Sequence, residues 1–107
     1  MNPPSPIQAY FDADSRGDGA ALINAFVADA VVRDEGQSHA GRQAIHAWWH
    51  ATKAKYQHTV EPLETSQTDD VTKVFARVTG QFPGSPATMI FAFRVKGDQI
   101  TSLEITA

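Results

Sequence analysis

Chemistry in this chain is concentrated in a few side chains. Asp34 stands where the apolar run Ala30-Val31-Val32 gives way to Arg33-Asp34-Glu35-Gly36, so a carboxylate leaves a strand just as the chain turns. The helix expected after Gly41 carries Ile45, Trp48, Trp49, Thr52 and Tyr56 on one stripe, at i, i+3, i+4, i+7 and i+11. A carboxylate facing such a wall loses water, which disfavours its charged form and turns it into a proton carrier near neutral pH. The competing reading is a solvated turn residue. The two indoles bury much apolar area, and each N–H requires a partner.

Other groups are placed to join or to stay apart. His39 precedes the helix and His58 opens the third strand, so either is positioned to enter a pocket mouth and pair with Asp34 as acid and base. Tyr10 is a second candidate, although a tyrosine on a helix that packs on a sheet is more often core. His46 and His50 have an i,i+4 spacing that suits a metal, but they sit opposite the Ile45/Trp49 stripe, no acid completes the set and no HExxH pattern occurs. No metal site is expected. Arg77 pairs with Glu61 or Glu64 in the favoured reading and holds an anionic ligand in the other. Phe75, Phe91 and Phe93, with Met89 and Leu103, are core or pocket wall.

These groups need elements to hold them. Met1 to Ser5 reads as a lead-in, with Ser5 capping a helix that has Pro6 at its first position. Ile7, Tyr10, Phe11 and Asp14 share one side of that helix, and Gly17 and Gly19 end it. A second helix is expected from the i,i+4 pairs Leu22/Phe26 and Ile23/Val27. After the short strand, the polar turn and the tryptophan helix, the period changes from helical to alternating. Strands are expected over 57–65, with Pro62 at an edge or bulge, then over 71–82, 88–96 and 100–106. Thr68-Asp69-Asp70, Pro83-Gly84-Ser85-Pro86 and Gly97-Asp98 are the turns between them. Helices followed by successive strands give an α+β domain with helices on one face of an antiparallel sheet.

Composition narrows the classes. A chain of 107 residues is one domain with one core. Nine basic and twelve acidic side chains give a net charge of −3, and no basic run offsets it, which disfavours a nucleic-acid surface. No stretch approaches the ~20 apolar residues that span a bilayer, and MNPPSPIQ lacks the regions of a signal peptide. No cysteine is present, so thiolate chemistry and disulfides are excluded. A cytoplasmic location is the default expectation.

The order of these pieces resembles the nuclear-transport-factor-2-like superfamily and, within it, the small SnoaL-like proteins. The carriers are the helical hairpin with Tyr10 and Gly17-Asp18, the phrase FVADAVVRDEG, the helix start Gly41-Arg42-Gln43-Ala44-Ile45 followed by Trp48-Trp49, and the closing FAFRVKGDQITSLEI. The resemblance covers nearly the whole chain. It implies a cone in which a strongly curved sheet wraps the helices and leaves a pocket at its wide end, and it implies dimers through the sheet's other face. The ketosteroid isomerases of this superfamily carry a tyrosine seven residues before a Gly-Asp pair and a general-base aspartate sixteen residues after that pair's aspartate. Tyr10 and Asp34 have those spacings from Gly17-Asp18, so they are similar to the oxyanion donor and the base. The third isomerase group, a protonated aspartic acid, falls near Phe91, which cannot donate. Loss of such a donor is worth about 2.7–4 kcal/mol in an oxyanion hole, which counts against steroid isomerisation.

The resulting expectation is an α+β cone with a mostly apolar pocket lined by Tyr10, Asp34, Trp48 or Trp49, Phe91 and Phe93, with Phe75 a further wall candidate. Two functions fit it. One is proton-transfer catalysis without a cofactor, of the isomerase, cyclase or dehydratase type, in which Asp34 shuttles the proton, Tyr10 stabilises an oxyanion and His39 or His58 assists. The other is a non-catalytic module that binds a small apolar molecule or serves dimerisation. A two-fold homodimer is expected through a sheet face carrying Val74, Ala76, Val78, Ile90 and Ala92.

Overall fold

The computed structural model describes residues 4–107, and the expected lead-in at positions 1–3 lies outside them. Helix α1 (Ser5–Arg16) begins with Pro6 in its first turn. Pro4 is its N-cap and no side chain caps it, so Ser5 stands inside the helix and does not cap it. Gly17, at φ 68°, ends it by turning its N–H back to the carbonyls of Ala13 and Asp14. Helix α2 (Gly19–Asn24) is capped by Asp18, whose Oδ1 accepts the Ala21 N–H at 3.1 Å.

The chain then departs from the expected helical pattern. Phe26 and Val27 do not continue α2 but open strand β1 (Phe26–Asp34). The reason is tertiary. The Ile100 N–H donates to the Ala25 carbonyl at 2.7 Å, and β1 runs parallel to β6 (Gln99–Thr106) with Phe26 facing Ile100 and Val32 facing Leu103. A partner more than seventy positions away outweighs two i,i+4 pairs. The segment expected as a polar turn holds a further strand, β2 (Gln37–Ala40), antiparallel to β1 and joined to it through Glu35 and Gly36, both at positive φ. Asp34 is thus the last residue of β1, opposite Gln37.

Helix α3 (Arg42–Tyr56) follows, and the Arg42 guanidinium ties its start to β1 with two bonds to the Phe26 carbonyl, at 3.0 and 2.7 Å. The remaining strands are β3 (Thr59–Thr68), β4 (Val71–Thr79) and β5 (Ala87–Lys96). β3 shifts register between Pro62 and Glu64, and Leu63 there is exposed. β4 stops short of the expected Phe82 because the chain passes tightly over the end of α3. A Cβ on Gly80 would lie 2.8 Å from the Tyr56 carbonyl oxygen. The six strands form one curved, open sheet in the order β2-β1-β6-β5-β4-β3, antiparallel except at β1/β6.

The register of β4 on β5 corrects the expected faces. Val74 stands opposite Phe91 and Ala76 opposite Met89, whereas Phe75 stands opposite Ile90 and Lys73 opposite Ala92. Directly opposed residues share a face. Val74, Ala76 and Val78 therefore belong to the buried inner face with Phe91 and Phe93, and not to an outer face with Ile90 and Ala92. Phe75 belongs to the outer face. Ile7, Leu22 and Ile45 from the helices meet Phe26, Phe93, Ile100 and Leu103 from the inner face, and all seven are fully buried. Each such side chain contributes about 1.5–3 kcal/mol.

Candidate functional site

The curved sheet and α3 do not close on each other at the end where β1 turns into β2. They leave a cavity of about 250 Å³. Tyr10 from α1 lines it, with Trp48, Trp49, Thr52 and Tyr56 from α3 and Asp34 and Glu35 from the β1–β2 turn. His58 and Val60, then Val78, Phe82, Ala87, Met89, Phe91 and Ile105, complete the sheet side, with Ala107 at the rim. The walls are mainly apolar, and the ionisable groups among them are two carboxylates, two phenols and one imidazole.

The adjacent tryptophans each find the partner their indoles require, and the partners differ. Trp48 Nε1 donates to Asp34 Oδ2 at 3.1 Å, and Trp49 Nε1 donates to Asp14 Oδ1 at 2.8 Å. Burial pushes the Asp34 carboxyl above its ordinary range. The Trp48 bond pulls it down, the neighbouring Glu35 charge pushes it up again, and the Glu35 backbone N–H and His39 pull down without reversing the sign. Tyr10 is raised well above the ordinary phenol value, first by burial and then by the negative charges of Asp14 and Asp34. It therefore stays a neutral hydrogen-bond donor at physiological pH. Its ring lies edge-on to Phe11, Phe26 and Phe93 at 5.2, 5.9 and 5.5 Å, which fixes its direction.

Asp14 is the group that sequence reasoning left unused. Only 3% exposed, it accepts the Trp49 indole, Lys53 Nζ at 3.3 Å and a contact from His58 Nε2 at 3.7 Å. Burial works against its charge, but His58, Trp49 and Lys53 outweigh burial and hold the carboxyl below its ordinary value. A signal was available, because Asp14 is the one charged member of the stripe Ile7, Tyr10, Phe11, Asp14. Glu35 was also passed over; its Oε1 accepts the Tyr56 hydroxyl at 2.7 Å on the cavity rim.

Of the expected residues, the structure brings Tyr10, Asp34, His58, Trp48, Trp49 and Phe91 to one cavity. His39 is not in its wall; it sits on β2 opposite Val32, with its ring 6.1 Å from that of Trp48. Phe93 is fully buried behind the wall, in the aromatic cluster with Tyr10, Phe11 and Phe91. Phe75 faces away on the outer side of β4. The expected histidine partner for Asp34 is not His58, which lies beside Asp14. Arg77 pairs with Glu61 at 3.3 Å on the exposed surface. His46 and His50 stack at 6.2 Å, and no group of three or more metal-ligating side chains occurs among the described residues.

Helices against a curved open sheet with a cavity at one end define the nuclear-transport-factor-2-like fold. The family model of the SnoaL-like domain matches residues 7–103, and the chain belongs to that family. It is similar to a candidate polyketide cyclase from Sinorhizobium meliloti, with 45% identity over 97% of this chain and 95% of that one and a TM-score of 0.94. A protein with a ketosteroid isomerase-like fold from Catenulispora acidiphila, solved in complex with trimethylamine, is 25% identical over 99% and 87% of the two chains, with a TM-score of 0.84. A computationally designed 17-OHP binder, 21% identical over 98% and 92% with a TM-score of 0.78, shares the fold alone. No curated protein matches the chain. No helix among the described residues is long and apolar enough to cross a membrane.

Proposed function

We propose that the chain is a cofactor-independent proton-transfer catalyst for a small, largely apolar carbonyl compound, with Asp34 as the proton carrier. The carrying observation is Asp34 itself: a carboxylate on the wall of an apolar cavity, aimed by one indole bond and held above its ordinary pKa by burial. Such a group accepts a proton more readily than a solvated carboxylate does. Tyr10, a neutral phenol on the same cavity, donates to the oxygen that gains charge when an adjacent carbon is deprotonated. The likeness to the candidate polyketide cyclase supports chemistry of this kind. The test is exchange of the α-hydrogens of a β-hydroxy aryl ketone with deuterated water. Catalysis by the parent and a loss of about 10²–10⁴-fold in Asp34→Asn is expected. Exchange no faster than in buffer ends the catalytic reading.

A second reading is a binding module for a small apolar molecule. Phe91 favours it, because an apolar ring occupies the wall where isomerases of this fold carry a donating acid. Tight binding of the same ketone with no exchange is the outcome that selects it. In either reading we propose a two-fold dimer through the outer sheet face. Phe75, Ile90 and Ala92 there are only half-buried, and Lys73, Arg94 and Glu104 on the same face offer complementary charges.

A further inference from the structure

The cavity has a charged mouth as well as an apolar interior. Six aromatic side chains line it, Tyr10, Trp48, Trp49, Tyr56, Phe82 and Phe91. Tyr10, the two indoles and Phe91 are buried, whereas Tyr56 and Phe82 are half-buried and Glu35 is exposed, so these three stand at the opening. Asp34 and Glu35 are the carboxylates of the wall, and no lysine or arginine is among the described residues that line it. Two cations of α3 are engaged elsewhere, Lys53 on Asp14 and the His58 carbonyl and Arg42 on the Phe26 carbonyl. The imidazole of the wall, His58, faces Asp14 through Nε2.

At the mouth, Tyr56 is fixed twice. Its hydroxyl donates to Glu35 Oε1 at 2.7 Å, and its ring meets that of Phe82 edge-on at 5.9 Å. The bond to Glu35 ties the end of α3 to the β1–β2 turn, and that tie alone would be a sufficient structural reason for it. It does not account for an ammonium at the same place. Lys55, which is not part of the cavity wall, holds its Nζ 5.0 Å from the centre of the Tyr56 ring. Tyr56 first, and then the Glu35 charge, favour the charged form of that amine. A side chain of this chain thus shows what the ring and the carboxylate attract.

We propose that Glu35 and Tyr56 form an ammonium subsite at the cavity mouth, so that the cavity takes an apolar molecule carrying an alkylammonium group at one end. This rests on the cavity as the binding site, which both readings of the function share, and not on Asp34 as proton carrier. A charge leaves water only where opposite charge or polarised groups replace its hydration. Aromatic rings and two carboxylates do this for a cation. An anion of the same shape meets two like charges and no partner, so the wall selects by repulsion as well as by attraction. The apolar body of the ligand fills the interior against Trp48, Met89 and Phe91, and its ammonium stays at the opening in place of the Lys55 amine.

Phenyltrimethylammonium and tert-butylbenzene test this, because they share one shape and differ by one charge; phenylacetate supplies the opposite charge. Affinities are read by calorimetry, and the indole N–H resonances of Trp48 and Trp49 report whether the cavity is the place of binding. The parent should prefer the ammonium to its neutral twin by about tenfold and bind phenylacetate most weakly. Glu35→Gln, on the exposed turn, should lower that preference by about threefold, and Tyr56→Leu by about the same factor through loss of the ring. Lys55→Ala, which removes the competing amine, should raise it. If Tyr56→Leu does not fold, Glu35→Gln and Lys55→Ala decide the matter. A parent that binds the neutral twin as tightly as the ammonium overturns the proposal, as does a preference that ignores Glu35→Gln or falls in Lys55→Ala. Ammonium binding that leaves both indole resonances unmoved overturns it too. A parent that prefers the ammonium but exchanges no ketone keeps this subsite and refutes Asp34 as carrier; one that exchanges the ketone without preferring the ammonium does the reverse.

Discussion

Two neighbouring tryptophans on α3 each donate to an aspartate, and the two pairs behave in opposite ways. Trp49 meets Asp14 in the interior, where Lys53 and His58 share the negative charge and the carboxyl is held below its ordinary value. Trp48 meets Asp34 on the cavity wall, where burial and the like charge of Glu35 hold the carboxyl above its ordinary value. The donor is the same and the bond lengths differ by little. The hydrogen bonds and the Lys53 charge around Asp14, and the apolar surroundings of Asp34, decide the sign. Asp14, met by three side chains, is held as a charged carboxylate in the interior, whereas Asp34 receives one side-chain hydrogen bond on an apolar wall.

The largest effect that tests this contrast is on stability. Trp49→Ala removes a large buried aromatic and leaves Asp14 without its indole donor, so a loss of about 3–5 kcal/mol is expected in urea melts. Against total stabilities of about 5–15 kcal/mol, that brings the domain close to unfolding. Trp48→Ala is expected to cost less and to weaken ketone binding more. Equal losses in the two melts would erase the distinction.

A finer version keeps the rings and removes only the N–H. Trp49→Phe strands a buried charged acceptor and is expected to cost about 1.5–3 kcal/mol. Trp48→Phe is expected to cost clearly less, because the half-exposed Asp34 can recover a water molecule. Its effect should fall instead on exchange, since the carboxylate loses its orienting bond. Calorimetry on both variants, with the exchange rate of Trp48→Phe, checks the split.

The pH dependence sharpens it further because the signs oppose. Asp14 binds its proton more weakly in the native state than in the unfolded chain. Its contribution is present above the ordinary value of 3.8 and is lost as pH falls through the lower native value. Asp34 binds its proton more tightly in the native state, so stability declines as pH rises from 3.8 through its raised native value. Asp14→Asn should therefore be less stable than the parent at pH 7 and converge on it in acid. Asp34→Asn should be more stable than the parent at pH 7 and converge on it below about pH 4. Denaturant midpoints across pH measure both, and curves of the same sign would show that the two carboxylates do not differ in kind.

The smallest expected effect on the folded chain is at the outer face. Ile90→Lys should leave the melt of the monomer nearly unchanged, since a partly exposed substitution away from core and caps shifts stability by about 0.5 kcal/mol or less. If the dimer forms there, light scattering at tens of micromolar should fall from two chain masses to one. A parent that already scatters as one chain removes the dimer.

Much of this molecule was legible along the chain. Alternation and turn residues marked β3 to β6, the glycines bounded the helices, and the stripe Ile45, Trp48, Trp49, Thr52 and Tyr56 marked the wall that α3 presents. The resemblance to the ketosteroid isomerases, through the spacing of Tyr10 and Asp34 from Gly17-Asp18, implied that both face a pocket, and both line the cavity. These are local facts, carried by period and by residues with special backbone preferences. What the chain did not show was which distant rows meet. β4 has two rows that each carry an apolar residue, and only its register on β5 put Val74 inward and Phe75 outward. Phe26 reads as the end of a helix until β6 supplies a parallel partner. Asp14 reads as a polar residue on a stripe until α3, β3 and the end of β4 bring Trp49, Lys53 and His58 around it. A carboxylate's pKa depends on which charges and dipoles stand within a few ångströms of it. The sequence determined that Asp14, Asp34 and two indoles would be present, and only the tertiary structure decided which carboxyl would be held below its ordinary value and which above it.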